Sequence, residues 1–128
     1  SGMSNVTIHP SVSYAESLEI LKQSKICLNS SPFFKNGSHE RMFAGPACGA
    51  LVVTNDNLYV REQFKDGENI ILYQPKHWDS VNEKIAHFLN DEEARQSAVK
   101  SAHAAVEEHH TWDARAELFI KEVSAIKI

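Results

Sequence analysis

Residues 25–54 read KICLNSSPFFKNGSHERMFAGPACGALVVT, and this stretch decides the fold. Its two ends, Lys25 to Asn29 and Ala50 to Thr54, are short and rich in apolar residues, with Ile26-Cys27-Leu28 and Leu51-Val52-Val53 showing no polar alternation. Strands buried on both faces look like that, and they belong to parallel sheets covered by helices. Parallel neighbours need a crossover, and Ser38 can cap a helix between these two that ends near Gly49. Pro46 falls inside it and removes one backbone bond, so this helix should kink or end early, near Cys48.

The same pattern extends both ways. Val6 to His9 and Asn69 to Tyr73 are two further strand-length runs, the second carrying Ile70-Ile71-Leu72. Ser13 and Glu16 have capping-box spacing before Tyr14, Leu18 and Leu21, and Asn57 can cap a short helix with Leu58 and Phe64, closed by Gly67. After Pro75 only helices follow. Ser80 and Glu83 form a second capping box ahead of the stripe Val81, Ile85, Phe88 and Leu89; Asp91 opens a helix with a thin face of Ala94, Ala98, Ala102 and Ala105. Thr111 can cap a last helix, in which Trp112, Ala116, Phe119, Val123 and Ile126 repeat at helical spacing. The alternation predicts an α/β fold of Rossmann-like, three-layer form. A four-stranded parallel sheet carries helices on both faces and ends in a helical C-terminal segment. No linker or repeat interrupts residues 3–128, which read as one domain; Ser1 and Gly2 look like a cloning remnant.

A chain of 128 residues supports one core. Its 42% hydrophobic and 23% charged residues describe a soluble globular domain, and 17 acidic against 13 basic side chains give a net charge of -4. That sign lacks the footprint of nucleic-acid binding, and no apolar run approaches the roughly 20 residues that span a bilayer. Cys27 and Cys48 stand in apolar surroundings and read as small buried residues of a reduced cytoplasm. His109 and His110 are adjacent and point to different helix faces, and Phe43 stands where a second histidine would complete a zinc motif with His39-Glu40; no metal is expected.

Open parallel sheets bind ligands beyond the carboxyl ends of their strands. Those ends carry His9-Pro10, Asn29-Ser30-Ser31, Thr54-Asn55-Asp56-Asn57 and Tyr73-Gln74, a polar rim whose Asn, Ser and Asp residues also form turns readily. The loop Pro32 to Gly37 is more specific. Gly37 lets the backbone approach a ligand, the amides at the following helix start suit a phosphate, and Arg41 adds a fixed charge with a fork that fits one. His39 can donate to a phosphoryl oxygen or act as an acid near neutral pH, and Glu40 can accept from sugar hydroxyls.

The runs Gly37-Ser38-His39-Glu40-Arg41-Met42-Phe43 and Ala47-Cys48-Gly49-Ala50-Leu51-Val52-Val53-Thr54 resemble the donor-binding half of GT-B glycosyltransferases, the kind with two Rossmann-like domains. The nearest branch is the group 1 type that includes spore-maturation-like proteins. Tyr59, Phe64 through Ile70, Tyr73, and His110-Thr111-Trp112 with Arg115 continue the resemblance over residues 12–122. It implies that Asn36, Gly37, Ser38, His39, Glu40 and Arg41, with Ser31 and Asn55, bind a nucleoside-diphosphate sugar as substrate, with no cofactor. It also implies that His39, Glu40 and Arg41 are the candidates for catalysis. The general family carries two glutamates eight positions apart before this run; here those positions are Asn36 and Ala44. The family's donor domain begins with further elements, after an acceptor domain. The chain therefore reads as a fragment of a larger cytoplasmic transferase or a small stand-alone relative, inactive without that partner domain and open to self-association through an unpaired sheet edge. The alternative expectation is a non-catalytic binding or assembly module that kept the fold. A flavodoxin-like or receiver-like domain would want a flavin loop or an acidic cluster after the first strand, and Val6 to Pro10 offers neither.

Overall fold

The structure is a computed structural model that describes residues 4–127; Ser1 and Gly2, like Met3 and Ile128, lie outside the described residues. Helix α1 (Tyr14–Lys22) leads into strand β1 (Ile26–Leu28), followed by α2 (Arg41–Ala47), β2 (Leu51–Asn55), α3 (Leu58–Gln63) and β3 (Ile71–Tyr73). The C-terminal part is helical: α4 (Trp78–Asn90), α5 (Glu92–His109) and α6 (Trp112–Ala125). The sheet is parallel in the order β1-β2-β3, with Cys27 beside Val52 and Val53 beside Ile71.

Three strands form among the described residues where the sequence suggested four. Val6 to His9 stays irregular, with Val6 and Ile8 exposed and no backbone hydrogen bond recorded. A run this short becomes a strand only when a neighbour supplies the ladder and a core receives its side chains. Val6 and Ile8 find neither.

Both faces of the sheet are covered, as the unbroken apolar runs require. Cys27, Val52 and Leu72 pack with Met42, Val60, Phe64, Ala102 and Val106 on one side. Leu51, Val53, Ile71 and Tyr73 pack with Val81, Phe88, Ala98 and Val99 on the other. Helix α5 thus serves both layers, and Ser101 lies beside Asn69 just ahead of β3, so α5 passes the amino ends of the strands. The carboxyl ends are left open.

Several caps follow the sequence. Ser13 and Glu16 form the capping box of α1, while Asn57, Asp91 and Thr111 cap α3, α5 and α6 by accepting from Val60, Ala94 and Ala114. Ser38 caps nothing: α2 starts at Arg41 with Glu40 at the cap position, because the Arg41 amide is taken by the His39 ring. Helix α4 starts before Ser80, its first residue Trp78 tilted against Tyr73 with ring centroids 5.0 Å apart, and Ser80 instead donates back to the His77 carbonyl. Helix α2 ends at Ala47 after Pro46, with buried Cys27 nearby but Cys48 only half-buried. Burial raises the Cys27 thiol pKa.

The two sheet edges differ. On β3, the Leu72 amide donates to Asp66 at 2.9 Å and the Leu72 carbonyl accepts from Lys84 at 3.3 Å, so charged side chains occupy this edge. On β1, Lys25 and Asn29 bond to β2, which turns the alternate backbone groups of Ile26 and Leu28 outward; no partner for them is recorded among the described residues.

Candidate functional site

Beyond β1 and β2 lies a network of short polar side chains. Asn29 is buried; its backbone amide donates to the Val53 carbonyl and its side chain to Thr54 Oγ1 at 3.0 Å. Its remaining side-chain oxygen accepts from Arg41 Nε at 3.2 Å. The buried Asn55 clasps the backbone of Ser31 from both sides, accepting from its N–H at 2.7 Å and donating to its carbonyl at 3.3 Å. Asn57 Nδ2 donates to the Gly37 carbonyl at 3.1 Å, and Tyr73 OH reaches Ser30 at 2.9 Å. The loop from Ser30 to Glu40 has no regular structure of its own, so side chains from the strand ends hold it in place.

His39, Glu40 and Arg41 come together in a cleft of about 240 Å³ against Ser17 and Leu21 of α1. Arg41 is exposed and, among the described residues, has no carboxylate partner. Asn29 fixes its Nε and leaves both terminal nitrogens of the fork open. His39 Nδ1 accepts the Arg41 amide at 3.3 Å, so the neutral ring carries its proton on Nε2. Glu40 turns toward α1, where Tyr14 donates to it at 2.9 Å and has its own pKa raised by that bond. Asn36 is exposed, and Gly37 and Ser38 are half-buried beside the cleft rather than in it. Gly37 adopts φ 131°, a left-handed conformation that a side chain would strain. Ser31 and Asn55 support the loop from below, and their side-chain and backbone groups are already paired with each other. Asn29, Thr54 and Tyr73 also belong to this network, and all three stand in the polar rim read from the sequence.

A second hollow, of about 520 Å³, lies along α3, β3 and α4. Its cations are already matched: Arg61 pairs with Asp56, and Lys84 with Asp66 at 2.6 Å. An anion gains less there than at Arg41. Among the described residues no three His, Cys, Asp or Glu side chains gather where they could hold a metal ion, and no helix is long and apolar enough to cross a membrane.

The His110-Thr111-Trp112 and Arg115 signature has a structural use. Arg115 Nη2 donates to Tyr59 OH at 2.9 Å and to His110 Nδ1 at 2.7 Å, tying the start of α6 to α3. The His110 ring packs in one aromatic cluster with Phe43 and Phe64, with centroids at 4.7 and 5.8 Å, and its Nε2 is buried without a partner among the described residues. Burial lowers its pKa, helped by the Arg115 and His109 charges. The unfolded chain takes up a proton near pH 6.5 and the folded chain only at lower pH. Stability is therefore full above about pH 6.5 and falls as the pH drops from there toward the lowered folded value. Urea unfolding at several pH values should show a steeper loss below pH 6.5 for the wild type than for His110→Leu. Equal slopes would remove His110 as the cause.

A family model described as glycosyl transferase-like matches residues 2–121. No curated protein matches the chain.

Proposed function

The chain belongs to the glycosyl transferase-like family, and from that premise we propose that the carboxyl end of its sheet binds the nucleoside-diphosphate part of a sugar donor. The observation that carries this reading is Arg41: an exposed guanidinium, aimed by the buried Asn29 and unmatched by any carboxylate among the described residues. Its fork matches two phosphoryl oxygens. In glycosyl transfer, an acceptor hydroxyl forms a new bond to the anomeric carbon while the bond from that carbon to the diphosphate oxygen breaks. The electron pair stays on the diphosphate, the hydroxyl's proton passes to that leaving group or to water, and a fixed cation beside the diphosphate lowers the barrier. His39 Nε2–H, a short distance along the same cleft, supplies a second donor for that oxygen. Gly37 turns the loop beside the cleft, and Glu40 lines the cleft for sugar hydroxyls.

The reading assigns donor binding to these residues. Transfer also needs an acceptor held in line with the anomeric carbon; the residues assigned here are given to the donor alone, and the chain by itself is expected to bind without turning over.

The test is a titration of the chain with a panel of nucleoside diphosphates and their sugar conjugates, followed by backbone amide shifts. Saturable shifts clustered in residues 29–41 and 54–58 are expected. Shifts confined to the ion-paired hollow beside β3, or none with any member of the panel, would overturn the assignment.

A further inference from the structure

The loop beyond β1 carries two phenylalanines outward: Phe33 is 95% exposed and Phe34 55%. Single exposed apolar residues are ordinary on a protein surface. Phe33 differs because its place is fixed. The Phe34 amide donates to the Ser31 carbonyl at 3.1 Å, which closes a β-turn with Pro32 and Phe33 at its tip. Proline at the first of those two positions presets the turn. The turn starts from Ser31, whose N–H and carbonyl are both held by the buried Asn55. Farther along the loop, Asn57 holds the Gly37 carbonyl at 3.1 Å. A ring on a pinned turn is kept in water by the fold itself.

The turn belongs to the same end of the sheet as Arg41. Asn29, which aims the Arg41 guanidinium, lies four positions before Phe33. The backbone between their Cα atoms extends at most about 14 Å, and the turn shortens that. A diphosphate on the Arg41 fork carries its base one ribose farther out, a reach of the same order. Resting on the donor-binding reading above, we propose that Phe33 is the stacking platform for the base of the bound nucleoside diphosphate. The face of a phenyl ring offers dispersion and no hydrogen bond, so it accepts any base and favours the larger purines. Arg41 and Phe33 then divide the ligand, the cation taking the phosphates and the ring the base.

The experiment is calorimetric titration of the full chain with ADP, UDP and inorganic pyrophosphate. Phe33→Ala should weaken ADP about tenfold and UDP less, and should leave pyrophosphate unchanged. Phe33→Trp should bind ADP at least as tightly as the wild type. The thermal midpoint of Phe33→Ala should match the wild type, because the ring lies outside the core. Unchanged ADP affinity in Phe33→Ala, beside pyrophosphate binding that Arg41→Ala abolishes, would overturn the platform and leave the donor-binding reading standing. Equal losses of ADP and pyrophosphate in Phe33→Ala would mean that the loop had shifted, and would overturn it too. So would a loss through Phe34→Ala in place of Phe33→Ala. A wild-type chain that binds neither ADP, UDP nor pyrophosphate would overturn the donor-binding reading itself, and this inference with it.

Discussion

Arg41→Ala should weaken nucleoside-diphosphate binding more than any other single change in the cleft. A hydrogen bond to a charged group is worth about 1.5–3 kcal/mol, so Kd should rise roughly ten- to hundredfold. The fold should be untouched, because Arg41 is exposed and its one side-chain bond within the protein runs to Asn29. Arg41→Lys keeps the charge and loses both the fork and the Nε bond, so it should fall between the wild type and Arg41→Ala. Asn29→Ala acts at one remove: it frees the guanidinium to wander and leaves Thr54 without its partner. It should weaken binding less than Arg41→Ala and lower stability more. Calorimetric titration of the three variants, with thermal unfolding alongside, checks the order. Binding by Arg41→Ala equal to that of the wild type would remove the diphosphate role.

The largest stability effect of a small change should come from Gly45→Ala. Gly45 is buried where α2 lies against β2, and a Cβ there would stand 2.6 Å from Val52 Cγ2, with the Ala50 carbonyl oxygen and Cys27 Cβ at 3.7 Å. Val52 is β-branched and fully buried, so its methyl group has nowhere to swing. Overpacking of this kind costs about 1–3 kcal/mol. The gain in helix propensity, at most about 1 kcal/mol, offsets only part of it. The thermal midpoint should fall by several degrees. Val52→Ala alone should also destabilise, by opening a cavity, yet the double variant should be more stable than the sum of the two losses predicts, because each change removes the other's fault. Additive losses would mean that α2 can move off the sheet instead.

The sequence by itself determined the α/β class, the parallel sheet, three of its strands and most helix starts. These are written in short-range terms. Unbroken apolar runs mean strands covered on both faces, and a side-chain oxygen three residues ahead of an amide makes a cap whatever lies beyond; Ser13, Asn57, Asp91 and Thr111 cap as read. The sequence also pointed to the run from Asn36 to Arg41, of which the structure gathers His39, Glu40 and Arg41 in the cleft and leaves Asn36, Gly37 and Ser38 outside it. What depends on distant partners was decided by the tertiary structure. Val6 to His9 has strand composition and no neighbour to pair with. Ser38 has cap chemistry, but His39 reaches the Arg41 amide first. That Asn29 aims Arg41, that Asn55 and Asn57 hold the loop, and that the apolar side chains of α6 face outward are relations between residues 12 or more apart, or between a helix and the whole core. Local spacing fixes which face of a helix is apolar; only packing fixes what that face meets.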